Sequence, residues 1–424
     1  MKKVIAMLAL VALTGNIASA ELLKNFKYDG KIDVNAYNAN NADFNKKVSD
    51  KISDVDTRVQ LNMGFDLNED VNAVVSIVKL NREYGDAKEN ANTIQAQLVF
   101  EQAYLNLKNV FGLDHKLGRQ YYGNAGDMVV YYGPMAWPFP TKYAPTSPAV
   151  DGWTGWYKFN GLGRDWDLHA ILAKEDATNT AASANDSDVS GINAKTTLMD
   201  ISLNGYVYHK NDKKFVAGTS NYLDVLGIKA KYAIPQVKNL NVAAEYAQNM
   251  GKDLNKPAAG YKHQGFAYKV NADYSMDFMG KLGFEGEYYF ASGDEKNNTG
   301  DTEFTSINGD YRPGIISGGG FLTDVNFTTK GSGQVVYNVG ANWTPSKLEK
   351  LNVAAKYYNF SADKKAGLVK KYYGSETDVV ATWTHSANVD VKGYYAMVMP
   401  EKDNTVSTKD NAQTMMGAAF CVKF

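Results

Sequence analysis

The sequence predicts an all-β fold, a transmembrane antiparallel β-barrel of eighteen strands with short turns at one rim and long loops at the other. Three observations predict it: apolar and polar residues alternate with period two, connections alternate between short and long, and no later segment approaches the roughly 18 apolar residues of a membrane helix. Low proline (10 of 424 residues), 12% aromatic residues and a mean hydropathy of -0.38 exclude a disordered chain and a helical membrane protein.

The first twenty residues have the three parts of a secretory signal peptide. Lys2 and Lys3 form a positive n-region, Val4 to Leu13 form a short apolar run, and Ala18-Ser19-Ala20 is a small-residue cleavage site. The alternative is a short buried helix. We expect an exported protein with residues 1–20 as the signal peptide and residues 21–424 as a single barrel domain in the cell outer membrane of a Gram-negative bacterium.

Strands with one polar face dominate the mature chain. In 56–67, Val59, Leu61 and Met63 share one face, while Arg58 and Gln60 take the other. The candidate strands are 27–37, 55–66, 71–82, 94–108, 115–123, 151–160, 165–174, 189–198, 200–210, 222–233, 240–249, 263–275, 280–292, 333–343, 351–361, 375–385, 389–399 and 412–424.

The connections between these strands alternate in length, and the longest are 124–150 and 293–332. An outer-membrane barrel explains this sorting, because short turns occupy the periplasmic rim and long loops the external rim. Closure also removes the two edges that an open sheet would leave unpaired in lipid. None of the ten prolines interrupts a predicted strand, as the missing N–H donor requires.

The C-terminus ends in an apolar stripe that includes Phe420, Val422 and Phe424. This stripe resembles the C-terminal strand signature of bacterial outer-membrane barrels, which the barrel-assembly machinery reads. Phe424 is therefore the candidate assembly signal. The alternative is an ordinary closing strand.

Two short motifs resemble porins of the alginate-export family. They are Leu-Gly-Arg-Gln at 117–120 and Glu-Gly-Glu-Tyr-Tyr-Phe-Ala-Ser-Gly-Asp at 285–294. The resemblance implies an eighteen-stranded barrel and a saccharide polymer as solute. The sequence departs from that family in its predicted lumen. The inward faces carry twelve basic and eleven acidic side chains, whereas a channel for a polyanion is expected to have a strong basic excess.

Charged residues on the predicted inward faces are the candidate pore-lining groups. They are Arg58, Arg119, Lys231, Glu285 and Glu287.

Loop 124–150 combines five prolines with aromatic residues and is the candidate constriction loop. Its candidate residues are Tyr131, Tyr132, Trp137, Phe139 and Tyr143. A rigid loop packed on the rim is the alternative. Loop 293–332 carries several carboxylates and a glycine run, and we expect a solvated external loop there in preference to a calcium site.

These features favour a water-filled channel for passive diffusion of small hydrophilic solutes and ions. The alternative is a channel specific for a saccharide or polysaccharide, working in export or uptake. An outer-membrane enzyme is less favoured, since no catalytic motif is found, and an adhesin role for the long loops is a further alternative. We expect no cofactor, no metal and, at a net charge of -1, no nucleic-acid partner. The expected partners are outer-membrane lipid and the diffusing solute, and the chain is either a monomer or a homotrimer.

Overall fold

The computed structural model describes residues 25–45, 47, 50–83, 98–134, 149–178, 185–214, 221–253, 261–294, 301–319, 332–404 and 411–424. In it, eighteen strands form one closed antiparallel sheet, in which each strand pairs with its sequence neighbours and the first pairs with the last. The barrel strands are β1 (Lys27–Asn40), β2 (Ile52–Asp66), β3 (Val71–Glu83), β4 (Leu98–Val110), β5 (Leu113–Gln120), β8 (Val150–Gly161), β9 (Arg164–Thr178), β10 (Asn185–Leu198), β11 (Ile201–Lys214), β12 (Asn221–Ala233), β13 (Leu240–Asp253), β14 (Phe266–Asp277), β15 (Gly280–Ala291), β16 (Ser332–Pro345), β17 (Leu351–Lys364), β18 (Tyr372–Ser386), β19 (Val389–Pro400) and β20 (Gln413–Lys423).

Three small elements lie outside the barrel wall. They are the paired strands β6 (Tyr122–Gly123) and β7 (Tyr131–Tyr132), the helix α1 (Ile316–Gly319) and a 3-10 turn at Lys402–Asn404. Among the described residues, no helix is long and apolar enough to cross a membrane.

The predicted fold is confirmed, and each of the eighteen predicted strands corresponds to one barrel strand. Two boundaries differ for identifiable reasons. The predicted strand 115–123 ends at Gln120, whose amide donates to the carbonyls of Lys116, Gly118 and Gly152 and so ties the end of β5 to β8. The predicted strand 263–275 begins only at Phe266, because His263 forms a bridge with Asp301 instead.

The two faces of the sheet differ as the alternation predicts. In β1, Asp33 and Asn35 point inward and are 7% and 0% exposed, while Ile32 points outward and is 37% exposed. The described outward faces carry exposed apolar side chains around the whole barrel, including Leu172, Val339 and Phe420. Such an exterior fits a hydrocarbon environment, and in the described strands the closed sheet pairs the backbone groups that lipid could not.

The first and last strands of the barrel, β1 and β20, meet at a seam. Gly30 donates its backbone N–H to the carbonyl of Phe424 (2.9 Å), and Phe424 donates back to Gly30 (3.0 Å). The Phe424 ring covers Gly30, where an added Cβ would lie 2.7 Å from the ring and 2.6 Å from the Gln60 carbonyl. The last residue of the chain thus packs directly on the first strand of the barrel.

We therefore expect Gly30→Val to slow barrel closure, because the new side chain displaces the Phe424 ring and strains the backbone of β2. The measurement is the fraction of heat-modifiable, folded barrel recovered in detergent over time. Gly393→Val is the matched control, since a Cβ at Gly393 meets nothing within 4 Å. Equal folding rates for the two variants would contradict the expectation.

Candidate pore constriction

Two loop segments fold into the barrel from the long-loop rim. Segment A is residues 121–134, and segment B is residues 301–319. Their apolar side chains are almost fully buried: Met128, Val129 and Val130 are 2–3% exposed, and Ile307 and Ile316 are 3% and 0% exposed. Because both segments contact inward-facing side chains of strands on different sides of the barrel, they occupy the lumen.

Segments A and B hold each other through a short parallel ladder. Tyr131 donates its backbone N–H to the Asn308 carbonyl (2.7 Å), and Asn308 donates to the Val129 carbonyl (3.0 Å). The Asn308 side-chain amide adds a bond to the Tyr131 carbonyl (2.7 Å), and Asp310 donates its N–H to Asp127 (2.8 Å). These four bonds pair backbone groups of both segments that would otherwise be buried without a partner inside the barrel.

Segment A is attached to the wall by a partly buried charge network. Lys229 of β12 lies 2.6 Å from an Asp127 carboxylate oxygen and 3.2 Å from one of Glu245 on β13. Tyr206 of β11 donates its hydroxyl to Glu245 (2.8 Å). One lysine thus balances two carboxylates, one from the loop and one from the wall.

Segment B is attached to the wall by two carboxylates of β18. Glu376, which is 0% exposed, accepts the backbone N–H groups of Ile316 (2.6 Å) and Ser317 (3.0 Å). Asp378 accepts the N–H of Ile315 (3.0 Å). Three backbone N–H donors at the start of α1 are therefore paired with wall side chains.

Tyrosines of both segments complete the packing. Tyr311 donates its hydroxyl to Glu287 (2.8 Å) and stacks on Tyr289 with ring centroids 4.0 Å apart. Burial and the Glu287 carboxylate raise the pKa of Tyr311, so its hydroxyl remains a hydrogen-bond donor. Burial, with a smaller contribution from the charge of Asp310, raises the pKa of Tyr131 to about 12. Both phenols are neutral at physiological pH.

Two cavities lie between the segments and the wall. One, of about 310 Å³, is lined by residues that include Tyr289, Phe304 and Tyr311. The other, of about 250 Å³, lies between segment A and β8–β12 and is lined by residues that include Trp156 and Lys195. The segments therefore narrow the lumen, and these two cavities remain between them and the barrel wall.

Of the residues predicted to line the pore, Arg58, Lys231, Glu285 and Glu287 lie on inward faces. Glu285 pairs with Lys356 of β17 (2.7 Å), and Glu287 accepts from Tyr311 and from Asn338 (3.1 Å). Lys231 shares the inward face of β12 with Lys229, near the short-turn rim. Of these four side chains, Glu287 contacts segment B directly, through Tyr311.

Arg119 is on the opposite face, and its prediction as a lumen residue is wrong. It shares the outward face of β5 with Leu117, which is 39% exposed, and it pairs with Asp151 (2.7 Å), itself an exposed residue. The prediction failed because polar residues occupy both faces of β5: Asp114 and Lys116 lie on the inward face, and His115 and Arg119 on the outward face.

Loop 293–332 also differs from the expected solvated external loop. Its residues 301–319 are segment B, and Asp310, one of the carboxylates considered for calcium, is 4% exposed and pairs with Arg312 (2.6 Å). Among the described residues, no group of three or more His, Cys, Asp or Glu side chains is placed to hold a metal ion. The isoleucines at 307, 315 and 316 were the available sequence signal for burial.

Tyr131 and Tyr132 lie in segment A, and Tyr132 is 0% exposed. Trp137, Phe139 and Tyr143 fall outside the described residues. Sequence reasoning did not identify Asp127 and Glu376 as anchoring residues, because the partners that give them this role are distant in the chain.

Arg58 is the most buried of the predicted lumen residues, and its loss is expected to destabilise the barrel. Its guanidinium contacts both Glu101 oxygens (3.1 and 3.2 Å), with the side chains 10% and 2% exposed. Arg58→Ala leaves the buried Glu101 carboxylate without this partner and is expected to lower the free energy of unfolding by about 3–5 kcal/mol. Unfolding in denaturant measures the loss, and Arg119→Ala, which breaks an exposed pair worth about 0–1 kcal/mol, is the control. Equal losses would contradict this expectation.

Comparison with known proteins gives a structural likeness only. No protein-family model matches the chain, and no curated protein sequence matches it. Solved structures of outer-membrane proteins from Pseudomonas aeruginosa do match. OccK9 (OpdG) is 10% identical, with 95% of this chain and 100% of that chain covered and a TM-score of 0.58. OccK8 (OprE) is 12% identical, with 95% and 98% covered and a TM-score of 0.56.

The outer membrane protein OprD from the same organism is 11% identical, with 94% of each chain covered and a TM-score of 0.55. At these identities the comparisons show the fold alone, the closed antiparallel β-barrel described above. They do not support the alginate-export family in particular.

Proposed function

We propose that this protein is a porin of the Gram-negative outer membrane, a channel for passive diffusion of small hydrophilic solutes and ions. Residues 1–20 direct export, the short-turn rim faces the periplasm, and the barrel-assembly machinery recognises the strand that ends in Phe424. The observation that carries this proposal is the pair of inward segments held across a polar lumen by Lys229 on one side and Glu376 and Asp378 on the other.

The mechanism follows from the lumen walls. Hydrated solutes pass between a wall lined with fixed charges, including Lys231, Glu285 and Lys356, and the neutral tyrosine surface of segment B. Solute size is limited by segments A and B, and solute charge is sorted by the nearby carboxylates and lysines. No covalent step is involved, and the protein is not an enzyme.

Planar-bilayer recording of refolded residues 21–424 tests the proposal. Unitary steps in a salt gradient, insensitive to added neutral or anionic oligosaccharides, are the expected result. Concentration-dependent block by one saccharide would favour the alternative, a saccharide-specific channel, for which the stacked Tyr289 and Tyr311 rings beside the larger cavity are the supporting observation. Folded protein without conductance would overturn both the diffusion channel and the saccharide-specific channel.

A further inference from the structure

Three neighbouring short turns each place a large apolar side chain at the tip. The turns join β4 to β5, β8 to β9 and β10 to β11, and their tips are Phe111, Leu162 and Met199. These side chains are 96%, 92% and 85% exposed, so the described part of the chain does not cover them. We call these three residues the apolar tips. Large apolar side chains exposed side by side indicate contact with another surface.

The backbone conformation at the apolar tips is costly for such residues. Each of the three turns has two central residues with positive φ, which is the type I′ geometry of a two-residue hairpin. The first central residue has a φ of 54° at Phe111, 56° at Leu162 and 49° at Met199. Glycine and asparagine adopt this conformation readily, whereas a large apolar residue adopts it at a cost. Contact of the side chains with an apolar environment offsets that cost, and exposure to water does not.

Outward charged side chains mark one edge of the lipid-facing surface on these strands. Lys174 and His209 each lie two residues from an exposed, outward leucine or valine and therefore share its face. Asp151 and Asp188 stand opposite Lys174 in the two neighbouring strands and share the same face. Because a charge on the outer face is tolerated only near the bilayer interface, these four residues show where the hydrocarbon ends toward the long-loop rim.

The other edge of the hydrocarbon falls at the apolar tips. The apolar band of an outer-membrane barrel is about 25 Å tall, which takes roughly ten residues on strands tilted by about 40° and rising about 3.3 Å per residue. On β5, the tip Phe111 is only eight residues from the outward Arg119. On the next four strands, ten residues lead from Asp151 to Gly161, from Lys174 to Arg164, from Asp188 to Leu198 and from His209 to Met199.

The residues beside the apolar tips favour phospholipid as the contact. On β8, β10 and β11, no outward position between the charged edge and the turn is charged, so the tips continue the lipid-facing surface. Arg164 faces outward beside Leu162, is exposed, and has no ion-pair partner in the part of the chain that the structure describes. Its guanidinium suits the phosphate of a lipid headgroup. Asp200, which completes the turn at Met199, limits the depth of that tip to the headgroup region.

We propose that the apolar tips insert into the periplasmic leaflet of the outer membrane and contact phospholipid there. The contact holds the short-turn rim of β4–β11 at the level of the lipid phosphates. The turn between β16 and β17, which carries Lys347, Glu349 and Lys350, stays in water. This inference rests on the proposed outer-membrane location and is independent of the proposed channel activity.

Leu162→Asn tests the contact, because lipid and water predict opposite effects. The change gives the turn an Asn-Gly pair, which a type I′ turn in water prefers. In phospholipid vesicles that contain no other protein, we expect the folded-to-unfolded ratio in urea to fall about fivefold or more, since an apolar side chain leaves lipid. Leu348→Asn, in the charged turn, is the control and is expected to change the ratio by about twofold or less.

An increased or unchanged ratio for Leu162→Asn overturns the proposal. An increase points instead to a tip that lies in water and is covered by a periplasmic protein in the cell.

A spin label measures the depth of the tips without relying on stability. Leu162→Cys and Phe111→Cys are labelled in a Cys421→Ser background, which removes the free cysteine of the chain. We expect both labels to be more accessible to oxygen, relative to a water-soluble nickel chelate, than a label at Leu348→Cys. Equal accessibility ratios at the three positions overturn the proposal. Unitary conductance of the same variants reports the channel separately, so failure of the lipid contact and failure of the channel are distinguishable.

Discussion

Replacing Glu376 with alanine is expected to release segment B and increase the unitary conductance. The Glu376 carboxylate accepts two backbone N–H groups, from Ile316 and Ser317, at a site with 0% exposure. Each buried donor left without an acceptor costs about 1–3 kcal/mol. A loss of only 2 kcal/mol shifts the equilibrium between attached and detached segment B roughly 30-fold. Single-channel recording should show larger steps and more open-channel noise.

Thr377→Ala is the matched control for this variant. Thr377 is the next residue of β18 and points outward, so its replacement leaves the attachment of segment B intact. Asp378→Asn tests the second attachment and is expected to have a smaller effect, because Asp378 accepts only one of the three N–H groups. A conductance for Glu376→Ala equal to that of the wild type, in a folded barrel, would show that segment B does not limit flow.

Replacing Lys229 with methionine is expected to shift the channel toward cations. The lysine is the counter-ion of both Asp127 and Glu245, and its removal leaves two carboxylates beside the smaller cavity with no cation within ion-pair distance among the contacts described for them. Breaking this partly buried network lowers the free energy of unfolding by up to about 3 kcal/mol, the lower end for a buried pair, and also loosens segment A. The reversal potential in a salt gradient measures the change in selectivity, and thermal unfolding measures the loss of stability.

The control for Lys229→Met is Lys238→Met. Lys238 is exposed in the turn between β12 and β13, so the same change of charge is made away from the constriction. The double variant Lys229→Met with Asp127→Asn should recover part of the lost stability, since it removes one of the two unbalanced carboxylates. An unchanged reversal potential for Lys229→Met would place the rate-limiting region elsewhere in the lumen.

The barrel wall was predictable because it depends on local patterns. Alternation such as Val59, Leu61 and Met63 opposite Arg58 and Gln60 reports directly which face meets lipid, and turn lengths report the strand order. Prediction failed where this pattern is weak. In β5, Arg119 follows Gly118 on a strand of only eight residues, and the face it takes depends on its cross-strand neighbour Asp151.

The constriction was predictable only in part. The aromatic and proline content of 124–150 indicated a loop able to pack, and Tyr131 and Tyr132 do lie in segment A. Segment B was predicted to be exposed to solvent because its carboxylates were considered without the groups that pair with them in the fold. Asp310 becomes compatible with burial through Arg312 and the Gly126 N–H (3.2 Å), and neither contact can be read from local periodicity.

The ladder between segments A and B also fixes an order of events during biogenesis. Its bond from the Asn308 amide to Tyr131 joins positions 177 residues apart, and the strands between them include most of one half of the wall. Contacts of such long sequence separation form late, because the intervening chain must first be ordered. We therefore expect β8–β15 to be in place before segments A and B narrow the lumen, and a barrel caught at that stage to leak more than the mature protein.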